Sequence, residues 1–161
     1  MKYLNTAVTF REFPDEISLC INITNCPFHC PGCHSPELWK DTGKILNKSS
    51  LSKLIESNKG ISCIGFMGGD SDPIEISDLA AFIKLRYPNL KVGWYSGNKE
   101  ISPLIKTDWF DYIKVGPYIK ELGGLDNPNT NQRMWEIIRT KYGYYTKKDI
   151  TYKFQKNGKR E

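Results

Sequence analysis

Two periods organise the apolar positions of this chain. In "ISLCINI", Ile17, Leu19, Ile21 and Ile23 alternate with Ser18, Cys20 and Asn22, the two-residue period of a strand with one buried face. Leu51, Leu54 and Ile55 then recur at helical spacing, with Ser50 before them as a cap and Gly60 after them as a stop. "CIGFM" (Cys63–Met67) reads as a short buried strand ending in Gly68-Gly69-Asp70. Ser77 is placed to cap a second helix carrying Leu79, Phe82, Ile83 and Arg86, which Pro88 halts. "KVGWYS" and "DYIKV" follow as third and fourth core strands, with a short helix expected near Ile101–Lys106. The turn-rich stretch from Gly116 to Thr130 reads as a long loop, and "DITYKF" as one more strand.

Strands that alternate with helices predict βα units. Four or five core strands are too few to close an eight-stranded barrel. The expected fold is therefore α/β, a small partial (open) βα barrel of mostly parallel strands. Ligands in such sheets sit beyond the carboxyl ends of the strands. Three segments meet there: the cysteine-rich loop after strand one, Gly68-Gly69-Asp70 after strand two, and Ser96-Gly97 after strand three.

With 161 residues, 39% hydrophobic and 25% charged, the chain reads as one ordinary globular domain over 1–161. No apolar leader region and no run near the length of a membrane span stands in the sequence, so no membrane partner is expected. Five cysteines, three of them in one loop, make a poor disulfide framework and indicate a reducing, cytoplasmic setting. The net charge is +5. Most of the excess lies between Thr146 and Glu161, where Lys147, Lys148, Lys153, Lys156, Lys159 and Arg160 face only Asp149 and Glu161. This basic C-terminal extension, from about residue 143, is either a solvated end or a contact surface for an acidic partner or nucleic acid.

The loop itself is "NCPFHCPGCHS", with Cys26, Cys30 and Cys33 spaced C-x3-C-x2-C. Three thiolates in a loop bent by Pro27, Pro31 and Gly32 can wrap one compact metal centre. A structural zinc needs a fourth ligand, which His29 or His34 offers, although zinc modules bring ligands as two separated pairs. A [4Fe-4S] cube takes one cysteine per iron, so three cysteines leave one iron open. Cys20 and Cys63, alone in strands, read as small buried hydrophobes.

The spacing matches the pattern of the radical S-adenosylmethionine superfamily, in which the open iron is chelated by the amino and carboxylate groups of S-adenosylmethionine. Further words narrow the resemblance: "NCPFHCPGCHSPELW", "MGGD", "GWYSG" at Gly93–Gly97, "YIKVGPYIKEL", and "NTNQRMWEI" at Asn129–Ile137. With these the chain resembles the activating proteins of anaerobic (class III) ribonucleoside-triphosphate reductase. The resemblance implies a fold of radical S-adenosylmethionine type and a single [4Fe-4S] cluster on Cys26, Cys30 and Cys33. It implies S-adenosylmethionine at Gly32, Cys33, His34, Gly68, Gly69, Asp70 and Ser96. The implied activity is reductive cleavage of that cofactor to a 5′-deoxyadenosyl radical that takes a hydrogen from a glycine of the large catalytic subunit. A flavodoxin or ferredoxin would donate the electron, and nucleic acid is not an expected partner. Asn131, Gln132 and Arg133 either line a substrate channel or cap a loop. The chain departs from the pattern in two places. "VTFREFPDE" lacks the G-P-G-x-R stretch of many relatives, and "GGDSDP" has two residues between Asp70 and Pro73. Two other readings stay open: an activase of another glycyl-radical enzyme, and a zinc-stabilised module that binds nucleic acid.

Overall fold

In the computed structural model, which describes residues 1–155, eight strands form one sheet in the order β3-β1-β2-β4-β5-β6-β7-β8. They are β1 (Lys2–Thr9), β2 (Ser18–Ile23), β3 (Lys44–Ile45), β4 (Cys63–Met67), β5 (Lys91–Tyr95), β6 (Tyr112–Val115), β7 (Arg133–Arg139) and β8 (Tyr145–Asp149). Only two α-helices accompany them among the described residues, α1 (Lys48–Ser57) and α2 (Pro73–Arg86).

The expectation of a small partial (open) βα barrel of mostly parallel strands is therefore wrong. The pairs β2–β4, β4–β5 and β5–β6 are parallel. The flanking pairs β1–β2, β1–β3, β6–β7 and β7–β8 are antiparallel. Two connections explain the difference. The expected helix at Ile101–Lys106 does not form, since Pro103 interrupts it and only a 3-10 turn at Thr107–Trp109 follows. The chain then returns through the 116–132 loop as an antiparallel strand instead of making another crossover.

The four central strands lie where the apolar pattern put them. The helix caps do not. Asn47 caps α1 and exchanges a reciprocal pair of hydrogen bonds with Ser50, which sits inside the first turn. Asp72 caps α2, accepting from the Glu75 amide at 3.0 Å ahead of Pro73. Ser77 lies within α2, where its hydroxyl accepts from the Lys106 amide at 3.1 Å.

The sheet has two unlike faces. On one, Leu19, Ile21, Ile23, Ile64, Phe66, Val92, Trp94, Ile113 and Val115 pack with the buried sides of both helices. The other carries Cys20, Cys63, Gly65, Gly93, Tyr95 and Tyr112, and no helix lies on it. Phe13, from the β1–β2 connection, covers this face and is fully buried. Its ring lies 5.4 Å from that of Tyr95 and 5.7 Å from that of Tyr112. Gly65 and Gly93 make the seat: a Cβ at either position would run into the Phe13 ring. Burying that ring is worth about 1.5–3 kcal/mol.

The C-terminal region differs from expectation as well. "DITYKF" forms no strand of its own; the strand is β8, which ends at Asp149, and Thr151–Phe154 is a 3-10 turn. Ile150 is fully buried with Met134 in the Phe13 cluster, and the Thr151 hydroxyl accepts from the Met134 amide at 2.9 Å. Lys147 and Lys148 belong to β8, and Lys153 pairs with Asp15 at 3.3 Å. Lys156, Lys159, Arg160 and Glu161 lie outside the described residues. Truncation after Gly143 removes a strand and a core residue. It should lower stability by about 2 kcal/mol or more, measured by urea or thermal unfolding; an unchanged melting temperature would show that β8 and Ile150 contribute nothing.

Candidate iron–sulfur site

The parallel strands β2, β4, β5 and β6 all point their carboxyl ends to one rim, and the cysteine loop leaves β2 there. Its two ends are tied together: the Asn25 amide donates to the Lys40 carbonyl at 3.1 Å, and Cys26 to Leu38 at 3.0 Å. Between them the chain turns through left-handed conformations at Asn25, His29 and Gly32 (φ 64°, 45° and 74°). His29 stacks on Trp39 with ring centres 4.9 Å apart. Phe28 lies against Gly97 at the end of β5, where a Cβ would come within 2.5 Å of its ring. A glycine here lets the loop dock on the rim.

All five cysteines are free. Cys26, Cys30 and Cys33 are half-buried, while Cys20 and Cys63 are buried in the sheet face beneath Phe13. Burial pushes the Cys20 thiol up to about 12 and that of Cys63 higher still, so both stay protonated. Burial also raises Cys26, partly offset by hydrogen bonds from the Phe28 and His29 amides, with Asp70 and Cys30 adding to the rise. The Cys30 carbonyl accepts from the Cys33 amide at 3.0 Å, and the Ser35 amide points at the Cys33 Sγ at 3.4 Å. Backbone donors thus face two of the three loop sulfurs, as suits thiolate ligands. Among the described residues no three His, Cys, Asp or Glu side chains already converge on a single-ion position.

Gly68 and Gly69 both adopt positive φ (99° and 96°). The Gly68 amide donates to the Tyr95 carbonyl at 3.0 Å, and its carbonyl accepts from Trp94 Nε1 at 2.9 Å. A Cβ at Gly69 would strike Ile76 of α2 at 2.5 Å. Both glycines therefore serve the internal turn, whatever else they approach. Asp70 stands at the rim, accepting from the Ser96 hydroxyl at 2.5 Å and the Gly97 amide at 3.1 Å. Ser96 is buried and spends its hydroxyl on Asp70 and the Asn98 amide. It positions the carboxylate and does not face the open rim. Burial raises the Asp70 carboxyl pKa, and these hydrogen bonds and Lys114 oppose the rise.

Sequence reasoning missed Lys114. It sits on β6, on the Phe13 side of the sheet, with only 8% of its surface exposed. Its Nζ donates to the Gly116 carbonyl at 2.8 Å and lies 5.7 Å from the Tyr95 ring centre. Burial lowers its pKa to about 8, while Asp70, Cys30 and Glu12 pull the other way. The available signal was an inward-facing lysine between Tyr112 and Gly116 in a central strand. On the neighbouring loop, His34 packs on Tyr118 at 4.7 Å, and the open side of Gly32 faces Tyr118 and Lys120. Asn131 donates to the Pro117 carbonyl at 2.9 Å, Gln132 is buried, and Arg133 donates to the Thr130 and Gln132 carbonyls. The contacts that Asn131 and Arg133 make are those of loop capping.

Residues 17–116 match the family described as a 4Fe-4S single cluster domain. The chain belongs to this 4Fe-4S single cluster domain family. The matched span runs from the start of β2 to just past β6 and so contains the cysteine loop, Asp70, Ser96 and Lys114. The chain is also similar to an anaerobic ribonucleoside-triphosphate reductase-activating protein of Enterobacteria phage T4. The two are 28% identical over 124 residues, covering 70% of this chain and 80% of that protein. No solved structure matches the chain. No helix among the described residues is long and apolar enough to cross a membrane.

The buried lysine makes a testable electrostatic claim. An unfolded lysine titrates near 10.4, so between about pH 8 and 10.4 the unfolded chain binds more protons than the folded one. Stability should rise with pH through that window and carry the full burial cost below it. Lys114→Met should therefore be more stable than the parent at pH 7, by at most ~3 kcal/mol, with the advantage shrinking toward pH 10. Urea unfolding at both pH values checks this. A variant equally destabilised at each pH would place Lys114 in a net favourable contact.

Proposed function

We propose that this protein is a radical S-adenosylmethionine activase that installs the glycyl radical on the large catalytic subunit of an anaerobic ribonucleoside-triphosphate reductase. The observation that carries this reading is the rim itself. Three half-buried loop cysteines stand beside a carboxylate, Asp70, and a buried ammonium, Lys114, in a chain of the 4Fe-4S single cluster family. The similarity to the phage reductase-activating protein points the same way.

Cys26, Cys30 and Cys33 would hold a [4Fe-4S] cluster and leave one iron free for a non-protein ligand. The amino group and carboxylate of S-adenosylmethionine would bind that iron, with Asp70 placed to accept a hydrogen bond from the iron-bound amine and the Lys114 ammonium to pair with the carboxylate. Gly68 and Gly69 hold the Asp70 turn, Ser96 aims its carboxylate, and Gly32 to His34 lie along the same loop. When bound, the cluster and S-adenosylmethionine together would supply one-electron reduction of the sulfonium, the chemistry needed to remove a hydrogen atom from a partner glycine. The protein's own residues orient the cofactor, while the rim, left uncovered by any helix, admits a polypeptide loop. A flavodoxin or ferredoxin in the cytoplasm would supply the electron. The other glycyl-radical substrates and the zinc module have no observation here that favours them.

Two experiments test this. Cys30→Ala, reconstituted anaerobically, should lose the brown colour and the four irons per chain, while Cys20→Ala and Cys63→Ala keep both; a full iron complement in Cys30→Ala sinks the cluster assignment. Gly69→Val is unsuitable as a probe of the cofactor site, because its side chain would first collide with Ile76. Lys114→Met is the cleaner variant. It should weaken S-adenosylmethionine binding about tenfold or more by calorimetric titration at unchanged iron content, and slow formation of the glycyl-radical electron-paramagnetic signal on the large subunit. Unaltered affinity would move the cofactor away from β6.

A further inference from the structure

Three buried side-chain polar atoms have no hydrogen-bond partner among the described residues: Ser18 Oγ, Asn131 Oδ1 and Trp39 Nε1. The surroundings account for two of them. Ser18 lies opposite Cys63 in the β2–β4 register, within reach of its thiol. Asn131 uses the other end of its amide on the Pro117 carbonyl. The Trp39 indole has no such account. An indole nitrogen can only donate, and a buried donor without an acceptor is destabilising. Trp94 shows how this chain treats an indole that packing alone positions: its Nε1 donates to the Gly68 carbonyl at 2.9 Å.

Trp39 closes the 3-10 turn Pro36–Trp39 that follows the cysteine loop. Backbone bonds on either side of it reach the first cysteine. The Leu38 carbonyl accepts from the Cys26 amide at 3.0 Å, and the Lys40 carbonyl from the Asn25 amide at 3.1 Å. Its ring stacks on His29, the residue before Cys30, with centres 4.9 Å apart. The unpartnered N–H therefore belongs to a side chain held beside two of the three loop cysteines. Thiolate and sulfide sulfurs are the acceptors that a cluster brings to that place, and they gain negative charge when it is reduced. We propose that the Trp39 indole N–H donates to a sulfur of the cluster and raises its reduction potential. This rests on the cluster reading given above. A neutral donor stabilises the more electron-rich, reduced state, so Trp39 eases entry of the electron that the sulfonium requires.

A decisive variant removes the N–H and keeps the ring. In the anaerobically reconstituted full chain, Trp39 is replaced by its isostere benzothienylalanine, in which sulfur takes the place of N–H, and separately by phenylalanine. Redox titration followed by the electron-paramagnetic signal of the reduced cluster should give a lower midpoint in both. The expected shift is about 59 mV, a tenfold change in the one-electron equilibrium. Iron content should stay at the parent's level. Trp135→Phe, at the sheet margin beside Lys147, should leave the midpoint unaltered. With heavy nitrogen confined to tryptophan indoles, pulsed paramagnetic resonance should detect a nitrogen coupled to the reduced cluster that Trp39→Phe lacks. If Trp39→Phe loses iron, the isostere and the coupling decide. A midpoint indifferent to the isostere, or a cluster coupled to no indole nitrogen, overturns the proposal and leaves the cluster assignment standing. A parent that assembles no cluster removes both.

Discussion

Everything on the functional side of this protein depends on the Phe13 ring lying on Gly65 and Gly93. A central parallel sheet exposes two faces that water will not tolerate bare, and the two helices cover only one. The β1–β2 connection folds back to put Phe13 at the centre of the other, where Leu125, Met134 and Ile150 join it. The ring sits over the middle of β4 and β5, at Gly65 and Gly93, and reaches Tyr95 at the end of β5. Beyond it, toward the carboxyl ends of the strands, stand Lys114, Asp70 and the cysteine loop.

The rim shows how a buried charge is tolerated. Asp70 is satisfied by Ser96 and Gly97 before any ligand arrives. Lys114 is satisfied by one carbonyl and remains costly. An ammonium kept in the interior with one protein hydrogen bond retains donors that a ligand can use, and its burial cost is recovered when an anion binds. The loop glycines act one step further back. Gly97 lets Phe28 dock, and Gly69 makes room for Ile76, so packing fixes the positions of the groups that would meet the cofactor.

The margins of the sheet obey a different constraint. Strands β7 and β8 add length with mostly exposed residues, and their aromatic and basic side chains stack on each other, as Lys147 does on Trp135 at 4.5 Å. Such strands are held by backbone pairing more than by apolar burial. They also bring Ile150 and Met134 to the Phe13 cluster, so what looks like a tail completes the core.

The sequence by itself determined the four central strands, because each is buried and writes its two faces as an alternation or an apolar run. It also determined that three thiols sit in one loop after the first of them, since chain proximity alone achieves that. It could not show β1, β7 and β8, whose residues are half-exposed and carry no apolar period, and so the parallel barrel it suggested became a mixed sheet. The caps shifted for a local reason: Asn47 and Asp72 compete with Ser50 and Ser77, and packing of each helix on the sheet selects where it starts. Lys114 was visible as a letter but not as a buried charge, because its burial depends on Phe13, Tyr95 and the 116–132 loop arriving from distant parts of the chain. Periodicity reports which residues are buried along one element; only the assembled sheet decides which elements share a face.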